Sequence, residues 1–169
     1  LTRSSGAWIH AAGTAMFEKG EVALNPHEQW VWFAVEAGDV TLHWEDTELK
    51  LKAEDTCFLP AGAHAAKLEI PEQARVLWVA LEGQLAPMVV RKMGALLHMP
   101  LRQGALPSPL YPAKQIVQVM VRHSGTADAT YQLQHLMYGM LASHWGQPVA
   151  MDAMLSHEIA KVVDTLRAN

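Results

Sequence analysis

Two histidines in the first half of the chain, His27 and His64, are the candidate metal ligands, with the amide of Gln29 as a poor third. A metal ion needs several N, O or S donors that converge on it at about 2 Å. Two histidines and one amide fall short of such a set, so the sequence predicts no bound metal, no other cofactor and no catalytic residue. Each histidine then lies at a rim, satisfies a hydrogen bond or helps to bind a polar ligand.

The chain has six tryptophans, five of which precede residue 80. Aromatic faces bind sugars and other flat ligands while they exclude water. Trp78 is the strongest candidate ligand contact, and Arg75 and His43 could supply polar groups from adjacent strands. Three further tryptophans either line the same pocket or fill the core, with core packing favoured: Trp30, Trp32 and Trp44.

The remaining chemistry-bearing residues form no catalytic pattern. We find no nucleophile beside a base, no phosphate-binding glycine loop and no cysteines at zinc spacing. Cys57 is the only cysteine, so no internal disulfide can form and a reducing cytoplasm is indicated. Within Thr56–Leu59 we interpret Cys57 as a small core residue rather than a reactive thiol. His135 and His144 do not share a helix face at metal spacing and are predicted to be surface or packing residues.

Composition describes a folded chain with an uneven charge. The 169 residues are 50% hydrophobic and 18% charged, which supports a packed core with a helical appendage. No apolar run is long enough to span a bilayer. The net charge is −4, and acidic residues outnumber basic ones in the first half alone. That half would repel phosphate, so nucleic-acid binding is not expected there.

Period-two alternation in the first half predicts strands. The predicted strands are Trp30–Val35, Val40–Trp44, Leu49–Leu51, Thr56–Leu59 and Arg75–Leu81. Turn signals separate them at Gly38-Asp39, Asp46-Thr47, Pro60-Ala61-Gly62 and Pro71-Glu72. Short strands with regular turns indicate an antiparallel barrel or sandwich over about residues 6–81, with helices only after Gly83.

The second half changes to helical periodicity. A short helix is predicted within Gly83–Gly94, and His98–Pro112 is mostly loop. Tyr111-Pro112 opens a helix whose apolar face carries Ile116, Val119 and Met120, and Gly125 ends it. Thr126 caps the next helix, which stops at Gly146-Gln147-Pro148. A final helix starts near Ser156.

The second of these helices has two apolar stripes. One stripe, Leu133, Leu136, Met137, Met140 and Leu141, can cover the barrel or the neighbouring helix. The other stripe, Tyr131, Tyr138, Ala142 and Trp145, then needs a different partner. A homodimer contact, chiefly through Tyr131, Leu133, Met137, Tyr138, Leu141 and Trp145, is favoured over an interior position in a three-helix cap.

Glu54–His64 resembles the second cupin motif, in which a Gly-Asp turn, a strand and a Pro-x-Gly turn lead to a histidine. Val35–Lys52 is similar to the hairpin before that motif, including the position of Gly38. The helical second half and Ser156–Asn169 resemble the AraC family of transcription regulators. The resemblance implies a cupin-like barrel (double-stranded β-helix, or jelly roll), an antiparallel helix pair and a terminal helix. It also implies that this last helix opens a DNA-binding domain of two helix-turn-helix units.

The resemblance divides the chain into three parts. Residues 1–83 form the ligand-binding barrel, 84–150 the helical dimerisation segment, and 151–169 a linker with the first DNA-binding helix. Sugar-responsive members place a stacking aromatic on the last barrel strand, which implies that Trp78 contacts a sugar effector. The chain is then the sensory part of a cytoplasmic regulator that reaches DNA through a further domain, without membrane contact.

Departures from the cupin pattern bear on the alternative functions. Glu54 replaces the motif glycine, His64 comes one residue early, and Phe33-Ala34 lie where a ligand glutamate is expected. A metal-dependent cupin enzyme, such as a sugar isomerase or dioxygenase, is therefore the second choice. A carbohydrate-binding module is the third, since it would not need the long helices.

Overall fold

A computed structural model describes residues 6–24, 29–63, 65–84, 86, 101–102, 108–123 and 127–145. Within these residues, seven strands form one antiparallel sheet, and two helices follow it. The strands are β1 (Trp8–Leu24), β2 (Trp30–Ala37), β3 (Val40–Trp44), β4 (Thr47–Leu51), β5 (Thr56–Leu59), β6 (Ala66–Glu82) and β7 (Leu101–Arg102). The helices are α1 (Leu110–His123) and α2 (Ala127–Trp145).

Strand β6 organises the sheet. It pairs with β1 along its whole length, from Trp8 opposite Glu82 to Leu24 opposite Ala66. On its other edge, residues 67–69 pair with β3 and residues 75–81 pair with β2. A single long strand thereby joins two groups of short ones.

The turn predicted at Pro71-Glu72 is wrong, because both residues lie inside β6. They fall where β6 changes from β3 to β2 and where its pairing with β1 shifts register. Neither residue has a partner in the register of a neighbouring strand. Proline has no N–H, and at this position none is needed for a hydrogen bond between strands. The breaker residues mark a bend in a continuous strand.

The β3–β4 hairpin is confirmed, with Val40 opposite Leu51 and Trp44 opposite Thr47. Its turn lies at Glu45 and Asp46, one residue earlier than expected, and Glu45 takes a left-handed φ of 53°. Between β2 and β3, Gly38 has a φ of 83°. A Cβ at that position would also collide with the carbonyl oxygen of Gln73, so this turn requires glycine.

One face of the sheet carries a hydrophobic group that we call the inner cluster. It draws side chains from β2 to β6, so the sheet must curl around it. Its buried members are Phe33, Val35, Val40, Leu42, Leu51, Cys57, Leu59, Ala63, Ala66, Leu68, Ile70, Ala74 and Val76. The predicted fold class, a mainly β barrel-like sheet followed by a helix pair, is confirmed as a curled half-barrel with two helices.

The opposite face carries the helix-side cluster, in which both helices pack on the sheet. Its larger buried members are Trp32, Phe58, Leu77, Val79, Leu81, Ile116, Val119, Leu136, Met137, Met140 and Leu141. The first helix begins at Leu110 and carries Pro112 in its first turn, as predicted. Neither helix is long and apolar enough to cross a membrane.

Several predictions fall on residues outside the described ranges. They include the cap at Thr126, the stops at Gly125 and Gly146–Pro148, and the final helix from Ser156. Most of the helix predicted within Gly83–Gly94 also lies outside. In the predicted loop His98–Pro112, Leu101–Arg102 form the short strand β7, which pairs with Thr56 and Cys57 of β5.

Candidate functional site

Trp78 lies on the inner side of the curled sheet, toward the C-terminal end of β6. Its neighbours in register are Phe33 of β2 and Gly13 of β1. It is partly buried and packs against the inner cluster. The indole lies across Gly13, since a Cβ added there would be 3.1 Å from Cζ2 and 3.3 Å from Nε1 of Trp78. A residue without a side chain thus lets the ring lie flat against β1.

Trp44 packs against the same cluster from β3 and is also only partly buried. Together with Trp78 it belongs to a partly exposed apolar layer that packs on the buried inner cluster. We call this layer the inner lining; its members are Phe17, Val22, Leu24, Trp44, Leu49 and Trp78. The inner lining leaves aromatic surface accessible inside the curl.

Trp30 and Trp32 do not share this interior. Both belong to the opposite face, where Trp32 is completely buried and Trp30 packs against Phe58 with ring centroids 5.8 Å apart. Side chains alternate along a strand, and Phe33 on β2 occupies the inner side. The structure therefore narrows the predicted interior tryptophans to Trp44 and Trp78.

The two predicted polar contacts point away from the inner side. Arg75 is exposed and lies between Ala74 and Val76, which both face the inner cluster. His43 lies between two inward residues of β3, and its Nε2 is 3.0 Å from Oε2 of Glu69 in a surface pair. Gln29 donates a hydrogen bond of 2.8 Å to Glu82. His27 and His64 lie outside the described residues.

A buried polar contact joins α2 to the sheet, and sequence reasoning missed it. His144 is 1% exposed, and its Nδ1 accepts a hydrogen bond of 3.3 Å from the indole N–H of Trp32. Indole is only a donor, so the bond from Trp32 requires an Nδ1 without a proton, and the hydroxyl of Thr56 lies 2.7 Å from the same nitrogen. Trp32 and Thr56 lie on β2 and β5, and both are fully buried. We call these three residues the His144 contact.

Cys57 is fully buried in the inner cluster, which confirms its interpretation as a core residue. Burial raises the pKa of its thiol to about 12. A thiol that stays protonated near neutral pH is a poor nucleophile and a poor metal ligand. Among the described residues, no three His, Cys, Asp or Glu side chains are grouped as a metal site requires.

The helix residues predicted for dimerisation differ in accessibility. Met137 and Leu141 are fully buried within the chain, so they offer no surface to a second copy. Tyr131 is 70% exposed, whereas Leu133 and Tyr138 are partly buried. Burial raises the pKa of the Tyr138 hydroxyl. The accessible part of the predicted contact is thus Tyr131, Leu133 and Tyr138, while the side chain of Trp145 is outside the description.

The model of the AraC-like ligand-binding domain matches residues 10–159. The chain belongs to this family. The predicted resemblance is thereby confirmed for the ligand-binding domain, and it places the inner lining in a domain family that binds ligands. None of the curated proteins searched matches the sequence.

Solved structures similar to this AraC-like domain include cupins. The EutQ protein of Clostridium difficile is 14% identical over 41% of this chain and 53% of its own, with a TM-score of 0.37. A cupin superfamily protein of Desulfitobacterium hafniense is 15% identical over 48% and 82%, with a TM-score of 0.38. A predicted oxalate decarboxylase of Thermotoga maritima is 16% identical over 43% and 65%, also at 0.38. The chain thus spans about half the length of the EutQ protein.

Proposed function

We propose that this AraC-like domain senses a small-molecule effector for a transcription regulator and is not an enzyme. The observation that carries the proposal is the position of Trp78. Its ring is accessible on the inner side of the curl, yet held in place by Gly13 and the inner cluster. A fixed aromatic surface loses little freedom when it binds a ligand, so it is a suitable anchor. Aromatic faces bind sugars as well as flat apolar rings, and the sugar predicted from the sequence is one of these two classes.

Thermal unfolding in the presence of a small-molecule library tests the sensing role. An effector should raise the melting temperature of the wild-type protein because it binds only the folded state. The Trp78→Ala variant should lose most of that shift. Trp30→Phe is the matched control, since Trp30 is also partly buried but lies on the helix side. A library without any stabilising compound, or a shift that Trp78→Ala preserves, contradicts the proposal.

The alternative of a metal-dependent enzyme is tested separately. Elemental analysis of the purified protein should find less than one equivalent of iron, zinc and manganese after dialysis against a chelator. A full equivalent that survives chelation contradicts a purely sensory role, with His27 and His64 as the first ligands to replace. A His64→Ala variant that loses the metal would then assign the site.

We further propose that α2 joins two copies of the chain into a homodimer. Tyr131 and Tyr138 are seven positions apart, close to two helical turns, so they lie on one face. Isologous pairing of that face would bury an exposed tyrosine and bring both C-terminal segments close to one two-fold axis. In this proposal each segment leads into a helix-turn-helix domain that binds one DNA half-site in the cytoplasm.

Sedimentation of the Tyr138→Glu variant tests the dimer. The added charge lies on the proposed contact face, so the variant should sediment as a monomer while its circular dichroism remains unchanged. Gln132→Glu adds the same charge at an exposed position off that face and should remain dimeric. A wild-type monomer at high micromolar concentration, or a dimer that Tyr138→Glu does not weaken, counts against the α2 contact.

A further inference from the structure

The inner side of the sheet carries one of the two hydrophobic clusters of the described residues. The inner cluster consists of buried aliphatic and aromatic side chains with one cysteine. The inner lining that covers it is also apolar. One polar group of the described residues interrupts this side: Glu82, two inward positions beyond Trp78 at the end of β6, accepts a hydrogen bond from Gln29 and pairs with His10. Away from that end of β6, a ligand meets hydrocarbon and aromatic rings.

Strand alternation accounts for this separation. Each charged residue and the histidine of strands β3 and β4 take the outward position, as His43, Glu48 and Lys50 alternate with inward Leu42, Leu49 and Leu51. The same holds on β6, where Lys67 and Glu69 alternate with Ala66, Leu68 and Ile70. The outward charges pair with one another, as Lys67 does with Glu21 and Glu69 with His43. No outward group can reach the interior without a change of register.

A monosaccharide is poorly matched to such an interior. It carries several hydroxyl groups, and each one that leaves water without a hydrogen-bond partner is unfavourable. Sites for hydroxylated ligands therefore place polar side chains around the stacking aromatic. Here the two predicted polar contacts, His43 and Arg75, point outward, and the buried His144 contact lies on the other face of the sheet. The inward pair of Gln29 and Glu82 lies at the end of β6, two inward positions beyond Trp78, and its groups already bond to each other.

We propose that the effector is a flat, largely apolar ring compound whose ring packs on Trp78 and whose buried part is uncharged. This inference rests on the proposed sensing function and narrows its ligand class away from sugars. Phe33 and Gly13 flank Trp78 in register; Phe33 is buried and the indole covers Gly13, so the ligand would meet the remaining accessible surface of the indole itself. Any polar group of the effector then points away from the inner cluster, toward solvent.

Fluorescence titration with N-phenyl-1-naphthylamine, an uncharged aromatic probe, tests the proposal. The probe should bind with a stoichiometry of one per chain, and indole or 2-naphthol should displace it. D-galactose and L-arabinose at millimolar concentration should not. Trp78→Ala should weaken probe binding by about tenfold or more if the ring is a buried anchor, whereas Trp30→Phe should leave it unchanged.

A second variant protects the test against a loss of folding. Gly13→Ala places a Cβ against the indole and displaces it without removing any core residue. Its circular dichroism and melting temperature should remain close to those of the wild type, while its affinity for the probe falls severalfold. Unchanged affinity in both Gly13→Ala and Trp78→Ala would overturn the assignment of the site.

The outcomes separate the ligand class from the sensing function. Displacement of the probe by a sugar, with sugar binding lost in Trp78→Ala, overturns the apolar class and leaves the sensing function intact. Failure of both probe and sugars to bind overturns the class and the function together. Probe binding that depends on Trp30 but not on Trp78 places the ligand on the helix side and also contradicts the proposal.

Discussion

The two faces of the curled sheet bury tryptophan in different ways. On the helix side, Trp32 is fully buried and donates a hydrogen bond to His144 of α2. On the inner side, Trp78 is only partly buried and rests on Gly13. A side chain that is fully enclosed and hydrogen-bonded contributes mainly to stability, whereas one that keeps an accessible face remains available to a ligand. The helices thus attach to one face of the sheet, and the proposed ligand site lies on the other.

Replacement of Trp32 should have the largest effect on stability. Trp32→Ala removes a completely buried ring and leaves a cavity between β2 and α2, so the free energy of unfolding should fall by about 3–5 kcal/mol. Urea unfolding followed by circular dichroism measures the loss. Trp78→Ala should cost clearly less, because its ring is only partly enclosed. Equal losses of unfolding free energy in the two variants would contradict the stated difference between the two faces.

Replacement of His144 should have the next largest effect. His144→Ala leaves the buried N–H of Trp32 and hydroxyl of Thr56 without this acceptor, which should cost about 1–3 kcal/mol. The matched control is His135→Ala, an exposed histidine on the same helix, whose stability should change by less than about 0.5 kcal/mol. A His144→Ala variant as stable as the control would show that the buried contact does not hold α2 on the sheet.

High pH should destabilise the inner cluster through Cys57. The thiol pKa is raised from 9.0 to about 12 in the folded protein. Below pH 9 the thiol is protonated in both states; between pH 9 and about 12 it ionises only in the unfolded chain, which lowers the stability of the fold. Over that interval each pH unit should lower the free energy of unfolding by up to about 1.4 kcal/mol relative to Cys57→Ala. Parallel pH profiles for the two proteins would contradict the buried thiol, as would rapid alkylation of the native protein near pH 8.

The ion pair between α1 and β2 should contribute least. Nζ of Lys114 lies 3.0 Å from Oε1 of Glu36 across the rim of the helix-covered face, and the lysine is about half exposed. Solvent screens such a pair, so Lys114→Met should change stability by less than about 1 kcal/mol. A larger loss of stability in Lys114→Met, together with a similar loss when high salt is added to the wild type, would contradict this small contribution. It would show that charge as well as packing attaches α1 to the sheet.

Alternation and breaker residues predicted much of this fold. Val40–Trp44 followed by Leu49–Leu51 has a clear period of two, so the hairpin and its inward side could be predicted. Trp30–Val35 is apolar throughout, so no alternation shows which tryptophan faces inward, and Trp30 and Trp32 could not be told from interior residues. The assignment required the register with Phe33 opposite Trp78.

Two other features depend on distant contacts that local patterns do not contain. His144 meets Thr56 and Trp32 across 88 and 112 positions, and nothing in its own helix distinguishes it from His135. The bend at Pro71-Glu72 has the composition of a turn, and only the change of partner strand keeps it within β6. Propensity describes a residue's local preference, whereas tertiary pairing decides its final conformation.

The long pairing of β1 with β6 also constrains the order in which the chain can fold. The two strands are joined from Trp8–Glu82 to Leu24–Ala66, so every contact between them closes a loop of more than forty residues. Such non-local contacts are slow to form because loop-closure entropy must be lost before the pairing stabilises the chain. During synthesis, β1 emerges before β6, so Phe17 and the other apolar side chains of β1 stay in water until their partners between residues 66 and 82 have left the ribosome. The β3–β4 hairpin needs no such delay, which makes it the natural starting point for assembly of the sheet.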